Sequence, residues 1–184
     1  MPLGNEPAET IQPQFFYQAR KFSFHGNRMR LPNGVEGDWT YVKHPGGAMV
    51  IPVTPDGRII ILRQYRFAVQ GRILEFPAGT LEIGETPLVT IQREIEEETG
   101  HQATKWTDLG EFFLAPGYSD EIIYAFLAEG AVPVPQPPAG DDDEDIEVLF
   151  MTPAELEAAI LNGAPIDAKS IAGYFRAKPH LNLS

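Results

Sequence analysis

The chain has 184 residues, no cysteine, and a formal net charge of −12 from 14 Lys+Arg against 26 Asp+Glu. That length suits one domain, with room for a small appendage, and a core that takes roughly 70% of the extended surface out of water. The missing cysteines exclude disulfides, thiolate nucleophiles and cysteine-ligated zinc or iron–sulfur centres, and the acidic balance disfavours a general binder of nucleic-acid backbones, which needs a basic footprint.

Residues 1–13, with Pro2, Pro7 and Pro13, read as a loose leader. Met1 to Thr10 holds no basic region followed by an apolar run, and no apolar stretch approaches bilayer length, so the expectation is a cytoplasmic protein with no membrane partner. Phe15 to His25 is aromatic-rich with partial alternation and predicts a strand. Pro32, Asn33 and Gly34 mark a turn within 28–37, and Trp39 to Lys43 predicts a second strand, so that 15–43 forms a hairpin. A hairpin alone is marginal in water and must pack on the main domain or on a second subunit.

Met49 to Val53 and Ile59 to Gln64 predict short apolar strands joined by a turn at 54–57. Ile73 to Phe76 predicts another strand, followed by the glycine-rich PAGTLEIGE. Thr86 and Pro87 then start a helix at 87–99. Thr86 is a hydroxyl cap, Pro87 has no N–H to leave unpaired, Leu88, Ile91 and Ile95 form the inward face, and Gly100 is the stop. Strands follow at 105–114 and 121–128. The Pro-rich, acidic stretch 131–145 reads as a mobile loop, and long loops of this kind are often lids. Glu147 to Phe150 predicts a last strand. Thr152, Pro153 and Glu155 begin a helix that Gly163 ends, and Asp167 caps a final helix at 168–177. Strands around one central helix, with helices at the end, imply a mixed sheet between helices.

The outer face of the 87–99 helix is unusual. Glu94, Glu96, Glu97 and Glu98 crowd its last turns, with Glu97 and Glu98 three and four positions after Glu94. Like charges at that spacing repel, and the helix end disfavours anions, each effect costing from a few tenths to about 1 kcal/mol. One reading is a solvated acidic face. The other is a site for hard divalent cations, which take carboxylate oxygens together with substrate phosphate oxygens. Arg93 can pair with a neighbour such as Glu85 and hold it in place.

Gly79, Glu85, Arg93, Glu94, Ile95, Glu97, Glu98 and Gly100 fall at the spacing of the Nudix box, and the chain resembles the Nudix hydrolase family on these residues. The final aliphatic position of the box is His101, a departure at a place whose usual role is packing. The resemblance implies an α/β fold, an α/β/α sandwich with a mixed β-sheet, plus the N-terminal β-hairpin arm. It divides the chain into a leader and arm, 1–43, and a Nudix domain, 44–184. It implies magnesium or manganese, two or three ions per site, held by Glu94, Glu97, Glu98 and the backbone carbonyl of Ala78.

Arg63-Gln64-Tyr65-Arg66, Glu75-Phe76-Pro77-Ala78-Gly79 and Ala115-Pro116-Gly117-Tyr118 resemble the ADP-ribose pyrophosphatase branch. On that likeness Arg63, Arg66 and Gly117 are substrate-binding residues. Arg66 alone reads either as a fork for phosphate or as a surface strand arginine. Phe22 or Trp39 is a candidate to stack on adenine, and the aromatics of the arm otherwise seal it against the core or a partner. In the resembling enzymes such an arm is exchanged across a homodimer. The branch takes its base from the acidic loop after the box. Matching from the Glu-Asp-Ile end places Glu144 at the metal-linked position and Asp142 at the position of a catalytic glutamate, one methylene short. Glu97, Glu98, Glu144, Asp142 and Arg93 are therefore the candidate catalytic residues. The implied reaction is hydrolysis of ADP-ribose to AMP and ribose 5-phosphate. The alternatives are other nucleoside diphosphate sugars, such as GDP-mannose or ADP-glucose, and a non-catalytic nucleotide sensor.

Overall fold

Strand β1 (Glu9–Gln18), rich in aromatics, carries Pro13, which has no N–H to give a ladder. Such a strand belongs at a sheet edge with bulges, and β1 is the edge of a three-stranded antiparallel sheet, with register shifts at Thr10/Gln12 and Pro13/Phe15. Its neighbours are β2 (Ser23–Arg30) and β3 (Glu36–Lys43), in the order β1-β2-β3. The expected single strand from Phe15 to His25 is in fact two strands. The turn between them, Ala19 to Phe22, is closed by Ala19 N–H donating to Phe22 O at 2.9 Å and by the Gln18 amide. It contains no glycine or proline to announce it. The second turn lies where expected, with Gly34 at φ +84°.

The computed structural model describes residues 6–136, 138 and 145–181. These fall into two compact units. One is Met1–Pro45 with Phe113–Ile122, and the other is Gly46–Phe112 with Ile123–Ser184. In the first, the turn Ala115 to Ser119 is hydrogen-bonded to β3: Val42 N–H donates to Tyr118 O at 2.8 Å and Asp120 N–H to Val42 O at 3.2 Å.

The second unit is built on β4 (Gly47–Val53), β5 (Ile59–Arg66), β6 (Gly71–Glu75), β7 (Ala78–Thr80), helix α1 (Pro87–Thr99), β8 (His101–Gln102), β9 (Lys105–Phe113), β10 (Ile122–Glu129), β11 (Val132–Pro133), β12 (Ile146–Met151), α2 (Pro153–Leu161) and α3 (Ala168–Ala177). A 3-10 turn at Lys178–His180 follows. The sheet order is β12-β5-β4-β10-β9, with β6 on β5 and β7 on β4. The β4–β10 pair is parallel and the β4–β5 and β5–β12 pairs are antiparallel, so the sheet is mixed as expected.

Alternation along β4 sorts the two helical layers. Ala48 and Val50 pack with Ile91 and Ile95 of α1 and with Phe126 and Ala128 of β10. Met49 and Ile51 point the other way, where α3 comes so close that a Cβ on Gly173 would press on Met49 and Ile51. Helices on both faces make the α/β/α sandwich. The caps also sit where expected: Thr86 accepts from Val89 N–H, Thr152 and Glu155 form a capping box, and Asp167 accepts from Ser170 N–H.

Residues 9–13, read as part of a loose leader, are the first half of β1, paired with Arg30 to Asn27 of β2 because Pro13 tolerates an edge position. Two shorter features also differ from expectation. The glycine-rich run before α1 contains strand β7, and the stretch read as loop from 131 pairs through Val132 and Pro133 with β8.

Candidate active site

Helix α1 buries Ile91 and Ile95 and turns its glutamates away from that core. Arg93 binds the acidic face together. Its Nη1 lies 2.7 Å from Glu97 Oε2 and 3.0 Å from Glu94 Oε1, and its Nη2 lies 3.5 Å from Glu85 Oε2. Thr90 Oγ1 also donates to Glu85, at 2.9 Å. The Thr90 hydroxyl first, and Arg93 second, hold the Glu85 carboxyl below its ordinary range. Burial alone would lower the Arg93 guanidinium, but the charge of Glu94 and the hydrogen bond to Glu97 outweigh it and push the group up. The repulsion expected among these glutamates is thus offset by one shared cation.

The loop before the helix completes the group. Ala78 N–H donates to Glu98 Oε2 at 3.0 Å, fastening the end of α1 to β7. A Cβ on Gly79 would overlap Glu94 Oε1, Cδ and Cγ, so the Glu94 carboxylate occupies the space that glycine leaves. Glu94, Glu97, Glu98 and the Ala78 carbonyl are all oxygen donors, the set that hard divalent ions take. Two of these carboxylates already converge on a single cationic nitrogen, so the residues fit such an ion in chemistry. Among the described residues, no three carboxylate or imidazole groups converge as a ready metal cage.

The two candidate arginines of β5 part ways. Arg63 and Arg66 are three apart, which places them on opposite faces of a strand. Arg63 pairs with Glu147 of β12. Arg66 gives its fork to Glu75, with Nε 2.6 Å from Oε1 and Nη2 2.8 Å from Oε2. Glu75 is 2% exposed, and its Oε2 also accepts from Lys169 Nζ at 2.5 Å. Burial works to raise the Glu75 carboxyl, but Arg66 and Lys169 together overcome it and hold it at about 2. Glu75 had entered only as part of the run before the box, and Lys169 not at all. A lysine in the first turn of a capped helix reads as surface, and no local signal marks it as buried.

Phe22, Trp39 and Gly117 belong to the other unit. Phe22 is half-buried, edge-on to Phe24. The Trp39 ring lies over Gly37. Gly117 sits in the turn closed by Tyr118 N–H donating to Ala115 O at 3.1 Å. Asp142 and Glu144 lie outside the described residues. A surface cavity lined by Thr54, Glu129, Pro153 and His180 shares no residue with the box.

Residues 43–174 match the family model described as the NUDIX domain. The chain belongs to the Nudix family. It is 36% identical to an ADP-ribose pyrophosphatase of Bacillus subtilis over 162 residues, 88% of each chain. It is 33% identical to a GDP-mannose pyrophosphatase of Yersinia enterocolitica, over 71% of this chain and 72% of that one. A solved structure titled as an ADP compounds hydrolase superposes with a TM-score of 0.80 at 20% identity, over 98% of this chain and 97% of the other, a likeness of fold. Membership in the Nudix pyrophosphohydrolases carries a divalent-metal-dependent mechanism in general, which the oxygen donors of α1 and Ala78 suit. No helix among the described residues is long and apolar enough to cross a membrane.

Proposed function

We propose that this Nudix hydrolase cleaves the pyrophosphate bond of ADP-ribose, with magnesium or manganese, to give AMP and ribose 5-phosphate. The observation that carries this reading is the convergence of Glu94 and Glu97 on one cationic nitrogen, with Glu98 fastened beside them to Ala78. The ADP-ribose pyrophosphatase from Bacillus subtilis, similar over most of both chains, supports the choice of substrate.

Two or three divalent ions held by Glu94, Glu97, Glu98, Glu144 and the Ala78 carbonyl would neutralise the diphosphate oxygens and lower the pKa of an attacking water. Arg93 keeps Glu85, Glu94 and Glu97 in register, a supporting role that outer-shell partners commonly play. Arg66 offers a guanidinium to a phosphate oxygen. Asp142 or Glu144 takes a proton from the water as it attacks phosphorus. The bond from phosphorus to the bridging oxygen breaks, and the second phosphate leaves. One water is consumed per AMP and ribose 5-phosphate formed.

We also propose that Phe22 or Trp39 stacks on adenine and that Gly117 contacts substrate. The working form is a cytoplasmic homodimer in which the arm of residues 1–43 reaches a partner. All ten residues of β1 are exposed in the single chain, including Phe15, Phe16 and Tyr17, which leaves apolar surface on both faces of this edge strand to cover.

A magnesium assay across ADP-ribose, GDP-mannose, ADP-glucose and dinucleotides, with products identified, tests the proposal. ADP-ribose is expected to have the highest kcat/KM. A rate on GDP-mannose far above that on ADP-ribose would transfer the assignment to the substrate named for the Yersinia relative.

A further inference from the structure

A line of four alternating charges runs from the first turn of α3 through β6 to the end of β5. Asp167 caps α3 through its Oδ1 and accepts from Lys169 Nζ through its Oδ2. Lys169 Nζ reaches Glu75 Oε2 at 2.5 Å, and Glu75 takes both arms of Arg66. The two middle members are buried, Glu75 at 2% and Lys169 at 8% exposure, whereas the Arg66 side chain is 42% exposed.

Stability does not account for this line. Charges in a low-dielectric interior cost several kcal/mol each to desolvate, and well-packed apolar residues of like volume commonly do as well or better. Nor is it needed to dock α3. Leu74 N–H already donates to Pro165 O at 2.8 Å, and Phe76 N–H to Ser170 Oγ at 2.8 Å, so uncharged bonds join the same two segments. The line has one open end, and that end is the guanidinium of Arg66. The charge of Glu98, on the box helix, is felt there.

We infer that Lys169 is a positioning residue: by pinning Glu75 it fixes the orientation of the Arg66 guanidinium for a phosphate oxygen of the diphosphate substrate. The inference rests on the reading above, in which Arg66 meets that substrate. Lys169 holds Oε2 of Glu75, and the Glu75 carboxylate, bonded to Arg66 Nε and Nη2, fixes which way the planar guanidinium faces. The four charges sum to zero. Without Lys169 the group carries a net negative charge beside an anionic substrate, and Glu75 has only Arg66 to lean on.

A double-mutant cycle with Lys169→Met and Arg66→Ala tests this, because residues that act through one another show non-additive effects. Lys169→Met is expected to raise KM for ADP-ribose about tenfold or more, the scale for loss of an outer-shell partner, with kcat changed far less. In the Arg66→Ala background it should add less than about twofold. Lys169→Arg, which keeps the charge, should recover most of the KM. Ser170→Ala, which removes an uncharged bond from the same turn, should lower the melting temperature and leave KM alone. Calorimetric binding of ADP-ribose in EDTA should weaken in Lys169→Met by a similar factor. Should Lys169→Met not fold, Glu75→Gln is to be read in the same way.

Effects that multiply across the cycle, or Lys169→Met kinetics equal to wild type, would overturn the positioning role. A wild-type protein that neither binds nor hydrolyses ADP-ribose would instead overturn the functional reading, and this inference with it.

Discussion

The carboxylate of Glu94 fills the space that a side chain on Gly79 would need. Glycine at the start of the box is therefore a condition on where an acid of the helix can sit. Gly79→Ala forces the Glu94 side chain to rotate, because the clash reaches back to its Cγ. The Glu94 side chain is 16% exposed and paired with Arg93, so the rotation breaks that pair and the folded state should lose on the order of 1–2 kcal/mol. Turnover should fall by about 100-fold or more, the scale for losing one electrostatic stabiliser. Circular dichroism melts beside kinetics will separate the loss of function from that of stability.

Glu75 gives a pH dependence of stability with a defined sign. Its carboxyl is held at about 2 in the folded protein against an ordinary 4.5. A depressed carboxylate contributes stability that is fully present above the unfolded value and is lost as pH falls through the folded one. Relative to a protonated Glu75, and not to an apolar replacement of the whole line, the ionised carboxylate contributes on the order of 3 kcal/mol at neutral pH. Urea unfolding should show the wild-type protein losing stability relative to Glu75→Gln between about pH 4.5 and pH 2. A constant difference over that window would rule the linkage out.

Much of this was legible in the sequence where the signal was local. Thr86, Pro87, Ile91, Ile95 and Gly100 mark α1 and its buried face within fifteen residues, and the same stretch carries the acids. The turn at Ala19 to Phe22 was not legible, since its closure comes from the Gln18 amide and not from glycine or proline. Neither was the bond from Lys169 to Glu75, whose partners are 94 residues apart in the chain. Gly79 was legible as a fixed position, but the reason for it, the close approach of Glu94, is visible only in three dimensions.

The glycine that ends α1 should matter for stability alone. Gly100 lies at φ +67° and its N–H donates to Glu96 O. A Cβ in the left-handed region costs roughly 1–2 kcal/mol. Gly100→Ala should lower the unfolding free energy by about that amount in a denaturant titration, with KM for ADP-ribose unchanged.

The proposed dimer has its own test. Phe15, Phe16 and Tyr17 are 54%, 61% and 57% exposed in the single chain. Replacing all three with serine removes apolar area worth roughly 25 cal/mol per Å² from any interface they form. Sedimentation velocity should show the wild type as a dimer and the variant shifted to monomer. A wild-type monomer at micromolar concentration would remove the arm from the account of the site.

In the proposed reaction the carboxylates of α1 share divalent cations with a diphosphate. The most direct measurement is the magnesium dependence of ADP-ribose hydrolysis by the wild type and by Glu94→Gln, Glu97→Gln and Glu98→Gln. We expect no turnover in EDTA, restoration by magnesium, and a fall of about 100- to 1000-fold in each folded variant. Hydrolysis that persists in EDTA, or that survives the loss of Glu97 or Glu98, would contradict it.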